Sequence, residues 1–317
     1  MPAAAAVFPL YPALVHGLAW VTGSILVAGI LISLVSSAVA AAVLAELARP
    51  LLGPRGARDT VLFLALYPVS FVFCAVYSEA LFLALAAGAF LAAQRGRAVL
   101  AGLLGGLATG TRLIGLALLP ALALLLVQRG GSRRERAVRL LPLLLLPAAV
   151  GLYAVHLDRE LGDALAFSSA QTDWNRSVSA LGPLGGLVDS VQAAGRGTRI
   201  LLSLPYEPGH EHRVALWNVS HLALLAAVAW LTWVAWRRLG AAHGAYAVAT
   251  LAIVLSAPVE GFPLVSLPRF VLGDFPLFLA LASLTADRPR ARDALLWAFA
   301  AFGAAAAIGF SRGVWIA

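Results

Sequence analysis

The chain has no lysine: all 23 of its basic residues are arginine. With the richness in Ala and Leu, this suggests a high-GC bacterial genome, a statement about codons rather than chemistry. The single cysteine, Cys74, excludes an intramolecular disulfide and any cysteine metal cluster, and reads as a buried small apolar residue. Charge is scarce, at 12% of 317 residues. The motifs of soluble enzymes are missing too. There is no P-loop, no GxSxG, no GxGxxG in a strand context and no HExxH. His210 and His212 flank Glu211 in PGHEHR, but a pair two apart in a polar loop reads as solvated rather than as a zinc site, so no metal is expected. No nucleic-acid recognition motif is present. The opening MPAAAAVFPLYP lacks the positive n-region of a signal peptide and carries Pro9 and Pro12 where an apolar h-region should run.

What is abundant is apolar. Hydrophobic residues make up 61% of the chain, and the mean hydropathy is +0.89. A water-soluble domain of that composition would aggregate. The expectation is an all-α multi-pass membrane protein forming one integral membrane domain over residues 1–317. Apolar segments fall at about 13–45, 60–77, 79–94, 97–111, 113–127, 139–157, 215–236, 243–258, 268–286 and 293–310. These predict about ten spans, several of them nearer 15 than 20 residues and therefore broken, tilted or re-entrant. Residues 157–214 form a long loop with interfacial helices.

Charge orients these segments. If alternate connections are cytoplasmic, one side holds 15 Arg and 5 acids and everything else holds 8 Arg and 10 acids. That is a strong positive-inside bias, and it accounts for the pI near 10.7 without a nucleic-acid partner. Glu79, Arg112, the loop 157–214 and Arg269 then share the external face.

Several polar residues lie where solvation is poor. Glu79, in YPVSFVFCAVYSEALF, must be wet, paired, protonated or functional, because an isolated buried carboxylate costs several kcal/mol. It also opens the following segment, where the helix dipole favours an acid. Arg112 is the one charge in the apolar stretch 98–127. Its planar fork suits a phosphate, although snorkelling or a pair with Glu79 would also hold it. Gly102, Gly106 and Gly110, spaced at four, read as a helix-packing face. Arg269 follows three prolines at the mouth of a span, where a pair with Asp274 and an anionic-ligand site are equally open. In GDALAFSSAQTDWNR, the residues Gln171, Asp173, Trp174 and Arg176 suit an interfacial helix or a sugar site, where an aromatic face covers ring hydrogens and an amide meets hydroxyls.

The ordered set FPLYPALVHGLA, LYPVSFVFCAVYSEALFLAL, GLATGTRLIGLAL, AFSSAQTDWNR, SLPRFVLGDFPLFLAL and GVWIA resembles the PIG-V-type mannosyltransferases, bacterial relatives of GPI mannosyltransferase II, over nearly the whole chain. The resemblance implies the GT-C architecture, a helical membrane bundle with its site on the external face. It implies inverting transfer of mannose from a polyprenyl-phosphate sugar donor to a glycan or glycolipid acceptor, among membrane lipids of the bacterial cell membrane and without a cofactor. On this resemblance the substrate-binding residues are Tyr11, Tyr77, Glu79, Arg112, Gln171, Asp173, Trp174 and Arg269. The family's catalytic base, an Asp in a WDxxWY-like loop after a first helix, would lie upstream of Met1. A transporter or lipid-handling protein without transferase activity is the competing class.

Overall fold

A computed structural model describes residues 3–203 and 209–313. Among them the chain is all-helical apart from one isolated β-bridge, between Arg176 and Val259. After a 3-10 turn at Ala3–Ala6, α1 (Leu10–Thr22) ends at Gly23, whose φ of 69° supplies a left-handed cap, and Ser24 then caps the next helix by accepting from the Val27 N–H. The apolar run 13–45 is thus two helices, because a Gly–Ser pair both stops and starts one within it.

The second helix, α2 (Ile25–Leu66), continues through the charged stretch 46–59 that the sequence reading makes a connection. It breaks only at Gly53, at φ 71° and ψ 179°, between Pro50 and Pro54. It stops well short of 77 because Pro68 forces Tyr67 to ψ 137°, outside the helical region. A 3-10 turn, Ser70–Cys74, follows. That turn buries Val72 and Phe73 and leaves Cys74 exposed, contrary to the buried position expected for it.

The remaining helices are α3 (Glu79–Gln94), α4 (Ala98–Thr111), α5 (Leu118–Val127), α6 (Arg133–Leu140), α7 (Leu145–Leu161), α8 (Ala166–Ser169), α9 (Pro183–Leu202), α10 (His210–Leu239), α11 (Ala241–Leu255), α12 (Leu267–Gly273), α13 (Phe275–Thr285) and α14 (Pro289–Ser311). By length and composition four stretches can cross a membrane: Ile25–Leu66, Arg133–Leu161, Glu211–Leu239 and Pro289–Ser311. A fifth is α12 with α13, bent by 81° at Asp274. The helices at 79–94, 98–111, 113–127 and 241–255 are apolar but short. The segment 268–286 is therefore a broken one.

The surface agrees with a lipid environment. Trp20 is 82% exposed, Trp297 77% and Phe302 68%, in company with many exposed Leu and Val. Water would penalise apolar area on that scale, whereas hydrocarbon does not. The core lies between α2, α3, α4, α5, α11 and α13, where Leu44, Phe63, Leu83, Phe90, Leu118, Tyr246 and Phe275 are almost fully buried.

Small residues let the helices approach. A Cβ on Gly102 would strike the backbone carbonyl of Pro142, and one on Gly106 would lie 3.0 Å from that of Leu145. The packing reading of that face holds at these two positions, while Gly110 lies near Leu10. In α9 the small face of Gly185, Gly186, Ala193 and Ala194 is buried, and Leu184, Leu187 and Val191 point outward. That is the pattern of a helix lying on the bundle with its larger apolar side chains towards the membrane.

Candidate functional site

The helix α3 separates two charged regions. At its C-terminal end Glu46 pairs with Arg49 at 2.8 Å and Arg95 at 3.4 Å, and Arg129 donates to the Gln94 carbonyl at 2.8 Å. Two further arginine contacts join helices: Arg292 of α14 lies 3.6 Å from Asp59 of α2, and Arg238 of α10 donates to the Ser283 carbonyl of α13 at 2.9 Å. About 24 Å away, at a rise of 1.5 Å per residue over its 16 residues, α3 begins with Glu79.

Glu79 is 4% exposed and lies in the first turn of α3, where the helix dipole favours its charge. The turn after α2 brings it there: Pro68 ends that helix, and residues 67–78 then run back to Ser78 at the N-cap. The Glu79 carboxylate accepts a charge-assisted hydrogen bond from Arg112 Nη1 and is ion-paired with Arg269 Nε at 3.1 Å. Its Oε2 is buried and makes no hydrogen bond among the described residues.

Arg112 reaches this point because α4 ends at Thr111 and Arg112 itself is extended, at φ −155° and ψ 135°, before a 3-10 turn resumes at Leu113. Its Nη1 also donates to Ser78 Oγ at 3.4 Å. Arg269 stands in the first turn of the short α12, with its guanidinium 5.7 Å from the centre of the Tyr77 ring. Arg112 is the pair of Glu79 that the sequence allowed, whereas Arg269 chooses Glu79 over Asp274. Asp274 is instead 1% exposed at the break between α12 and α13, and its Oδ1 has no hydrogen-bond partner among the described residues.

A fourth charge joins them. Asn175 is left-handed, at φ 52°, and turns the chain so that residues 175–179 run antiparallel to 256–260. The Ser179 N–H donates to the Ser256 carbonyl at 2.9 Å and the Glu260 N–H to the Asn175 carbonyl at 2.9 Å. This strap carries Arg176 to Ser266, whose Oγ accepts from Nη2 at 3.0 Å. Phe270 meets two guanidiniums, with Arg112 at 5.4 Å and Arg176 at 5.8 Å from its ring centre. Burial, and then the charges of Arg269 and Arg112, lower the Arg176 pKa to about 10.

Comparison with family models, curated proteins and solved structures finds no match. The reading of the site therefore rests on this geometry and on the chemistry of its residues.

The other expected residues fall around the cluster in different ways. Tyr11 is buried beneath it: its hydroxyl donates to the Gly29 carbonyl at 3.2 Å and lies 3.1 Å from Ser33 Oγ, and Ser33 in turn donates to the Tyr77 carbonyl at 3.2 Å. It braces the segment that ends in Glu79. Gln171, Asp173 and Trp174 belong to the 3-10 turn Ala170–Trp174, just before the strap. Asp173 and Trp174 are exposed, Gln171 is half-buried, and the Gln171 carbonyl accepts from the Arg176 N–H at 3.1 Å. That turn is anchored to the start of the chain, where Phe8 packs against Tyr153 at 5.1 Å and Phe167 at 5.8 Å. The terminal residues 314–317, in the GVWIA element, and the side chain of His210 lie outside the described residues. Among the described residues no three His, Cys, Asp or Glu side chains gather as metal ligands.

Sequence reasoning grouped Arg176 with Gln171, Asp173 and Trp174 as suiting an interfacial helix or a sugar site, but did not place it beside Arg112 and Arg269. The one signal for it was its place at the end of the polar TDWNR run; its partner Ser266 is 90 residues away.

Proposed function

We propose that the chain is a membrane glycosyltransferase of the PIG-V type, moving mannose from a polyprenyl-phosphate donor to a glycan or glycolipid acceptor on the external face of a bacterial membrane. One observation carries this reading: Arg112 and Arg269 converge on a single buried carboxylate beside a third arginine, at the meeting point of four of the sequence elements that carry the resemblance. Buried charge is costly, and several arginines around one acid form a site whose surplus charge an anion relieves.

The chemistry assigns roles. Transfer to an acceptor hydroxyl forms a bond from its oxygen to C1 of the sugar and breaks the bond from C1 to the phosphate oxygen, leaving that electron pair on the phosphate. The acceptor proton goes to a carboxylate base. Glu79 is a poor choice for that base, because its carboxylate is already engaged by Arg112 and Arg269. Its role is to fix the arginines that face the phosphate. The resemblance assigns the base to an aspartate on a loop preceding Phe8. The helix boundaries at 67–79 and 111–113 hold Glu79 and Arg112 in place before substrate arrives, as electrostatic catalysis requires.

Membranes containing the chain, alone and extended upstream, are to be incubated with radiolabelled polyprenyl-phosphate mannose. Label passing to a glycan or glycolipid supports the reading; none from the extended form overturns it. A second reading, a lipid-handling or transport protein, is favoured by the 81° break with buried Asp274. It predicts movement of lipid or solute without transfer of sugar.

A further inference from the structure

We infer that Arg176 is a phosphate-binding residue that makes this site prefer the phosphate monoester of a polyprenol over a phosphodiester; this rests on the transferase reading above. The geometry separates Arg176 from the other two arginines. Arg112 and Arg269 share Glu79, whereas the Arg176 side chain donates to a neutral hydroxyl, Ser266 Oγ, and meets no carboxylate within ion-pair reach among the described residues. It is half-buried, its positive charge is opposed by both other guanidiniums, and a hydroxyl cannot neutralise it. Yet the fold holds it firmly. The left-handed Asn175, the bridge to Val259 and the hydrogen bonds of residues 177–179 and 260 fix the backbone on either side, and the Phe270 ring packs against both its guanidinium and that of Arg112. A cation fixed against repulsion beside two others is an arrangement an anion completes.

The charge of the ligand follows from the reaction. A polyprenyl-phosphate sugar is a diester with one negative charge. After transfer the polyprenyl phosphate is a monoester with close to two at neutral pH. Arg176 adds one positive charge for which the described residues supply no acid, and so favours the state with the extra negative charge. An interaction stronger with the departing phosphate than with the bound donor accelerates the chemical step rather than merely tightening substrate binding.

Calorimetry on the full chain in nanodiscs, with geranylgeranyl phosphate and its methyl diester as probes, tests this. The monoester is expected to bind roughly tenfold more tightly at neutral pH, the scale of one charge-assisted hydrogen bond. R176Q is expected to bring the two affinities together, and R176K to restore most of the difference. The native protein gives an independent reading: below about pH 6 the monoester loses its second charge, so the preference fades. Inorganic phosphate is expected not to displace the prenyl probe; displacement at equal concentration would make the site one for free phosphate and overturn the lipid assignment. Equal affinity for the two esters at neutral pH, or a preference unchanged in R176Q, would overturn the inference. Mannose transfer without any ester preference would refute this inference alone, and ester preference without mannose transfer would refute the transferase reading alone.

Discussion

The two charged regions at the ends of α3 use the same residue types and behave as opposites. Around Glu46 the side chains are open to solvent: Glu46 is 44% exposed, Arg49 60% and Arg95 51%. Around Glu79 the corresponding figures are 4% for the acid, 16% for Arg112 and 19% for Arg269. Exposed pairs gain little because water and salt screen them. Buried ones lose hydration that must be recovered from partners, so every group without a matched charge raises the cost. The first region needs only to stay in water. The second is maintained at an energetic cost.

The sharpest way to break this contrast is at the acids. Glu79→Ala leaves two buried guanidiniums facing each other and is expected to lower stability by about 3–5 kcal/mol, read as thermal unfolding in detergent. Geranylgeranyl phosphate should narrow the loss by supplying the missing negative charge. In the transferase reading, Arg269→Ala is expected to slow mannose transfer by about 10²–10³-fold, as removal of a preorganised charge from a reacting centre does. The check is the labelled-donor assay, with folding monitored in parallel.

Gly102→Ala tests whether helix packing positions Arg112. The new methyl meets the Pro142 carbonyl, so α4 must shift, at a cost of about 1–3 kcal/mol in the same unfolding measurement. A loss of transfer larger than the loss of folded protein would show that the displacement reaches the site. The smallest effect belongs to Glu46→Gln. It is expected to cost less than about 1 kcal/mol, to disappear in high salt and to leave transfer unchanged. If Glu46→Gln destabilised the chain as much as Glu79→Ala, the contrast between the two ends would be wrong.

Part of this was legible beforehand. The segment 79–94 coincides with α3, and the short segments at 97–111 and 113–127 coincide with α4 and with a 3-10 turn leading into α5. Length and apolarity decide such elements, because a run of Ala and Leu bounded by Arg, Gly or Pro has one obvious helical extent. The long runs misled for the same reason. Gly23, Gly53 and Pro68 break or bend helices at single positions that an average over hydropathy does not register. Two charged pairs join residues far apart in sequence, Arg95 with Glu46 and Arg292 with Asp59.

The site was half readable. A carboxylate and an arginine in apolar surroundings announce themselves, because hydrocarbon tolerates neither without compensation. Which charges compensate each other is a different question. Arg269 lies five residues from Asp274 and 190 from Glu79, yet pairs with Glu79, because the bend at Asp274 and the turn at Tyr67 decide which side chains face each other.

The sequence by itself determined that the chain is helical and apolar enough for a membrane, and which few polar residues would need an explanation there. Composition and local periodicity act through each residue's own transfer energy, and that does not require knowing its neighbours. Only the tertiary structure decided that Arg176 stands beside Arg112 and Arg269, that Tyr11 braces the backbone behind Glu79, and that Asp274 is buried away from the arginines. Those outcomes depend on long-range encounters between a strap, a helix end and a broken helix, and no residue's local preference specifies them.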